Sequence, residues 1–143
     1  MTAVQELAEF AVSARWDQVS AASQEALKKR VLDAVGCAYG ALDAAPLLAI
    51  RAHTEDFGGQ PLATLIGGGK TSPDRAAFHN GAAVRYLDFN DAFLGRGEAC
   101  HPSDNLAPVL AAAEYVGASG AELLTALAGA YQVQVRLSQG APV

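Results

Sequence analysis

An all-α domain, a compact bundle of about six helices with one short extended segment, is the fold this sequence predicts. Three observations predict it. Hydrophobic residues make up 51% of the 143 positions while only 7% are aromatic, so the apolar content rests on alanine, the strongest helix former. Apolar residues recur at three- and four-residue intervals through most of the chain. Capping and breaking residues bracket those runs at helix-like distances. The length suits one domain with a real core, and with 17% charged residues the composition is that of a folded protein.

The elements follow in order. Val4, Leu7, Ala8, Ala11 and Ala14 share a face after Thr2 and give a short first helix. Ser20 or Ser23 caps a second helix whose face runs through Leu27, Val31, Ala34, Val35 and Ala38 until Gly40 stops it. Pro46 suits the first turn of a third helix ending near Gly58-Gly59. Ala63-Thr64-Leu65-Ile66 is β-like and closed by three glycines; no other run resembles a strand, so it is expected to stand alone. Ser72-Pro73 opens a fourth helix that carries Phe78, Ala83 and Leu87 toward Asp88. After an irregular stretch from Phe93 to Ser103, Pro108 must lie in the first turn of a fifth helix, which puts its cap at Asp104 or Asn105 and its end at Gly117. Ser119 and Glu122 form a capping box for a sixth, with Leu123, Leu124, Leu127, Tyr131 and Val135 on its face. Ala126, Gly129 and Ala130 are small enough for a close crossing with another helix. Gly140-Ala141-Pro142-Val143 follows an apolar helix without a polar tail, which fits a docked final helix and a piece of something larger equally.

Composition excludes several functions. The net charge is −5 and the largest basic cluster is Lys28-Lys29-Arg30, so no nucleic-acid partner is expected. No apolar run approaches the ~18 residues of a membrane span, and Glu6 and Glu9 leave the amino end unlike a signal peptide; no membrane contact and a cytoplasmic location are expected. Two cysteines cannot by themselves hold an iron–sulfur cluster or structural zinc, and Cys37 sits in an apolar run as a core residue. Cys100-His101 has no second ligand pair at usable spacing, so no metal is expected. Gly67-Gly68-Gly69-Lys70-Thr71 imitates the tail of a phosphate-binding loop, but the first glycine of that pattern falls on Thr64. His53 and His79, without acidic or cysteine companions one turn away, read as surface or helix-packing residues.

The chemistry concentrates in Leu87-Asp88-Phe89-Asn90-Asp91 and His101-Pro102-Ser103-Asp104-Asn105. Polar side chains in so apolar a chain are either solvated caps or the lining of a pocket for a polar ligand, because burial without partners costs about 1–3 kcal/mol each. If the fourth helix continues through Asp91, Asp88 and Asp91 share a face one turn apart, with Arg85 three residues before Asp88 to neutralise it. Acids at a helix C-terminus oppose the dipole, and local conflicts of this kind are where function is expected. The start of the fifth helix offers free N–H groups beside His101 and Ser103, a seat for a substrate carboxylate. Capping accounts for Asp104 or Asn105; it does not account for His101.

With these residues the chain resembles the MmgE/PrpD family, which includes 2-methylcitrate dehydratase, cis-aconitate decarboxylase and iminodisuccinate epimerase. The resemblance runs from about Leu7 to Leu137 and adds Leu32-Asp33-Ala34-Val35-Gly36, His79-Asn80-Gly81-Ala82-Ala83 and Ser119-Gly120-Ala121-Glu122-Leu123-Leu124 to the two polar stretches. The wording of those stretches is most similar to the 2-methylcitrate dehydratase branch. The resemblance implies a metal-independent, cofactor-free hydro-lyase acting on a small tri- or dicarboxylate, with the site between a helical domain and a smaller α+β domain. It implies Asp88 and His101 as catalytic, Asp88 a polariser or proton acceptor and His101 an acid–base group or carboxylate binder, with Asn90, Asp91, Ser103 and Asp104 binding substrate. Three departures go with it: Ala92 stands where the family often has threonine, the Phe93-to-Cys100 connection is Gly-rich and long, and the resemblance puts the family's later lysine and histidine positions and second domain beyond the 143 residues. The chain is therefore expected to be one helical domain over residues 1–143, part of a site and inactive alone, paired as a homodimer or with a companion domain. The contrasting expectation is a non-catalytic helical module that binds a partner.

Overall fold

Helix α4 (Pro73–Tyr86) is the centre of the molecule, packed against α2 (Ala21–Ala41) on one side and α5 (Leu106–Val116) on the other. Around these three lie α1 (Ala3–Ser13), α3 (Ala45–Phe57) and α6 (Gly120–Gly140). The computed structural model describes residues 1–95 and 99–140; Arg96-Gly97-Glu98 of the long connection and Ala141-Pro142-Val143 of the tail lie outside the described residues. The six expected helices are present, and the chain is mostly helical.

Alanine does the packing that composition promised. Ala34, Ala38 and Ala41 of α2 meet Ala83 and Val84 of α4, with Leu27, Leu47, Leu106 and Leu127 filling the rest of the core. Side chains this small let helix axes approach closely and lose little conformational freedom on burial. Gly40 has a different role from the one its sequence position suggests. It lies inside α2, where a Cβ would stand 2.9 Å from Leu87 Cδ1, so it makes room for the end of α4 instead of stopping the helix.

The caps follow the sequence. Thr2 and Gln5 form a reciprocal capping box, Ser20 Oγ accepts from the Ser23 N–H at 3.2 Å, and Ser119 with Glu122 closes the start of α6. Gly117 ends α5 at φ 68, a left-handed conformation that glycine adopts without penalty.

The extended segment does not stand alone. Strand β1 (Ala63–Thr64) pairs antiparallel with β2 (Lys70–Thr71), and Gly67, Gly68 and Gly69, all at positive φ, make the turn between them. The glycine-rich run is thus a hairpin turn. Polar side chains fasten this hairpin to the core: Asn80 Oδ1 accepts from the Ile66 N–H at 2.9 Å, Asn80 Nδ2 donates to the Thr64 carbonyl at 2.8 Å, and Glu114 accepts from the Thr64 N–H at 2.7 Å. His79, buried as a packing residue, turns its Nδ1 toward Asn80 at 3.2 Å, while His53 is exposed against Phe57. Burial raises the Cys37 thiol above its usual pKa, as a core position requires.

A second small hairpin, β3 (Phe93–Leu94) with β4 (Ala99–Cys100), occupies the stretch expected to be irregular, and a 3₁₀ turn (Pro102–Asn105) joins it to α5. Around Gly129 there is open space, where a Cβ would meet nothing within 4 Å, and Ala126 and Ala130 lie beside it. All three line an open, apolar cleft of about 1480 Å³ between α1 and α6, with Phe10 and Ala14 across from them. No residue of α1 is buried.

Candidate functional site

The end of α4 decides how the acids are placed. The helix stops at Tyr86, Leu87 is its C-cap, and Asp88 takes the left-handed conformation at φ 55, its N–H on the Arg85 carbonyl at 3.1 Å. Aspartate tolerates that region better than branched or bulky residues do. The helix therefore does not continue through Asp91, and Asp88 and Asp91 do not share a helical face. The two acids go to different places.

Asp88 stays exposed. Its Oδ1 accepts from Arg85 Nη1 at 2.6 Å, the neutralisation expected from the sequence. Arg85 also lies 3.9 Å from Asp104, so the guanidinium stands between two carboxylates on the outer face. Among the described residues no hydrogen bond or ion pair joins Asp88 to His101.

Asp91 turns inward and becomes a junction. Its Oδ1 accepts from the Ser103 N–H at 3.0 Å, and its Oδ2 accepts from the Tyr131 hydroxyl of α6, also at 3.0 Å. Its backbone carbonyl lies 2.9 Å from His101 Nδ1. A carbonyl only accepts, so Nδ1 carries a proton, and in the neutral imidazole Nε2 is left as the acceptor. The Ser103 N–H, at the start of the 3₁₀ turn that leads into α5 and expected to be free for a substrate carboxylate, is thus filled by the protein's own Asp91. The physical reason is that of the original expectation: exposed N–H groups at a helix start attract a carboxylate, and the nearest one belongs to the chain. Burial, reinforced by the Asp91 charge, pushes the Tyr131 phenol well above its ordinary range, so it remains a donor.

The remaining positions surround this junction. Asn90 Nδ2 donates to the Val84 carbonyl at 2.8 Å, while its Oδ1 is buried without a partner. Ser103 Oγ is likewise buried and unpaired. Asn105 is the N-cap of α5, as expected, but its backbone is already helical at φ −74 and its side chain does not cap; its Nδ2 donates to the Pro102 carbonyl at 3.0 Å and to Gln134 of α6. Asn105 and Gln134 also line the large apolar cleft, and Tyr131 lines a second cleft of about 590 Å³ that holds Arg15 and Arg30. The two polar stretches do meet, and they meet in direct contact. Tyr131 and Gln134, which tie them to α6, escaped sequence reasoning: Tyr131 falls in register with the apolar face of α6, and nothing in the spacing marks its hydroxyl.

Among the described residues, no group of three or more His, Cys, Asp or Glu side chains is arranged to hold a metal, and no single helix is long and apolar enough to cross a membrane.

Comparison with known proteins gives a consistent result. The family profile described as the MmgE/PrpD N-terminal domain matches residues 5–143. The chain is 32% identical to a 2-methylcitrate dehydratase of Cupriavidus necator over 110 residues, which is 71% of this chain and 21% of that protein. It is 43% identical to the 2-methylcitrate dehydratase of Escherichia coli over 72 residues, 43% of this chain and 15% of that protein. A 2-methylcitrate dehydratase-like protein of Aspergillus oryzae is 32% identical over 127 residues, 75% of this chain and 25% of that protein. The matches thus cover a quarter or less of these relatives' length.

Proposed function

The chain belongs to the MmgE/PrpD family, and from that premise we propose that it carries part of the active site of a hydro-lyase like 2-methylcitrate dehydratase, acting on a small tricarboxylate. One observation carries the reading: the His101 imidazole is held by its Nδ1–H on the Asp91 carbonyl, which leaves Nε2 as a positioned proton acceptor. Loss of water next to a carboxylate needs a base to take the proton from carbon. The C–H electrons form the new double bond, and the hydroxyl leaves as water with a proton from an acid. His101 Nε2 is the base in this reading.

Asp88 acts as the polariser. With Asp104 it flanks Arg85, a cation for a substrate carboxylate, and holds its guanidinium in place. Asn90 Oδ1 and Ser103 Oγ are the unpaired oxygens that a substrate hydroxyl reaching the junction would meet, and Asp91 fixes the loop that presents them. The reading assigns the reaction to acid–base groups without metal or cofactor. It places the protein in the cytoplasm, with the rest of the site supplied by a companion domain or a second subunit. A second reading, a non-catalytic helical module that binds a partner, is favoured by the open apolar cleft between α1 and α6.

The test is turnover of 2-methylcitrate by the complete gene product, followed by the ultraviolet absorbance of the unsaturated product. Removing a positioned base is expected to cost roughly 100-fold or more, so His101→Gln should lose turnover on that scale and keep its far-ultraviolet circular dichroism. A variant within twofold of the parent, or a parent inert on 2-methylcitrate, contradicts the reading.

A further inference from the structure

Tyr131 has no part in the chemistry just proposed, yet the base depends on the residue it touches. We infer that Tyr131 is a positioning residue for His101, acting through Asp91. The inference rests on the reading of His101 as an acid–base group.

The geometry runs in one line. The Tyr131 hydroxyl donates to Asp91 Oδ2, the Ser103 N–H donates to Asp91 Oδ1, and the carbonyl of the same Asp91 receives His101 Nδ1–H. A carboxylate held by one donor can still rotate about its side-chain torsions. A second donor from a separate element fixes both oxygens, and with them the peptide whose carbonyl orients the imidazole. The phenol is itself on a rigid mount. Leu127, one turn before it in α6, is 1% exposed in the core, and Gln134, one turn after it, is bonded to Asn105. Its raised pKa keeps it a donor through the neutral and alkaline range.

A purely structural role would be to fasten α6 to the 3₁₀ turn, and the Gln134–Asn105 bond does that as well. The two ties separate in one respect: only Tyr131 leads to the carbonyl that sets the His101 tautomer. The nitrogen-15 shifts of the three imidazoles in the 143-residue chain, recorded with the rings in their neutral form, read this directly.

In the parent, His101 should carry its proton on Nδ1. Tyr131→Phe should move His101 toward the ordinary Nε2–H form and leave His53 and His79 unchanged, whereas Gln134→Ala should move none of the three. In the complete gene product, Tyr131→Phe should lower kcat about tenfold with KM within about twofold, as expected for a misplaced catalytic group. The inference is overturned if His101 carries its proton on Nε2 in the parent, or if the Nδ1–H form survives Tyr131→Phe intact. A tautomer shift without loss of kcat upholds the tether and removes His101 from the chemistry instead.

Discussion

Asp91 and Asp88 stand three residues apart, and the structure predicts opposite consequences for losing them. Asp91→Ala removes the acceptor of two charge-assisted hydrogen bonds, from the buried Ser103 N–H and the half-buried Tyr131 hydroxyl. Each such bond is worth about 1.5–3 kcal/mol, and the donor left behind pays its own desolvation. Because water can reach a half-buried phenol, the sum is taken as about 2–4 kcal/mol. For a chain of this size that lowers Tm by roughly 6–16 °C. Asp88 loses only one partner, Arg85, on an exposed face, and asparagine accepts the left-handed backbone at φ 55 as readily as aspartate. Asp88→Asn should therefore change stability by less than about 0.5 kcal/mol while removing the carboxylate proposed to act on substrate. Urea and thermal unfolding followed by circular dichroism at 222 nm measure both, with an unchanged urea slope showing that the transition is the same one. Equal losses for the two variants, or an Asp91→Ala chain as stable as the parent, would refute the placement of these acids.

Two further predictions follow from the same structure. Asn80→Ala should cost about 3–5 kcal/mol in urea unfolding, because the Ile66 N–H, the Thr64 carbonyl and His79 Nδ1 lose their buried partner together. The Ser119 N–H and hydroxyl hold the Glu122 carboxyl below its ordinary value of 4.5, so its stabilisation of α6 is present above that pH and fades as acid carries the folded chain through the lowered value. Glu122→Gln should flatten that part of an acid-stability profile, and an unchanged profile would deny the capping box a role in solution.

The helices were legible because they are written in local chemistry. Thr2, Ser20, Pro46, Pro73, Gly117, Ser119 and Glu122 each act within one turn of their own position, so each announces a boundary without knowledge of the rest of the fold. The strands were harder. Lys70-Thr71 has neither alternation nor apolar length, and it is a strand only because Ala63-Thr64 lies opposite. The placement of the acids after α4 is hidden for a related reason. Helical spacing puts Asp88 and Asp91 on one face, but the stronger influence is tertiary: Asp91 finds Ser103 and Tyr131, and the chain unwinds at Asp88 to deliver it. The two polar stretches could be recognised as a pair from sequence; the hydroxyl from α6 that locks them could not, since Tyr131 keeps the register of Leu124 and Leu127.

Hydrogen exchange at the Ser103 amide tests most directly the claim that Asp91 occupies the start of the 3₁₀ turn. A donor held at 3.0 Å by a carboxylate should exchange at least about 100-fold more slowly than an unstructured amide, and Asp91→Ala should release it while amides in the core of α4 stay protected. A Ser103 amide that exchanges freely in the parent, or stays equally protected without Asp91, would contradict the account at its centre.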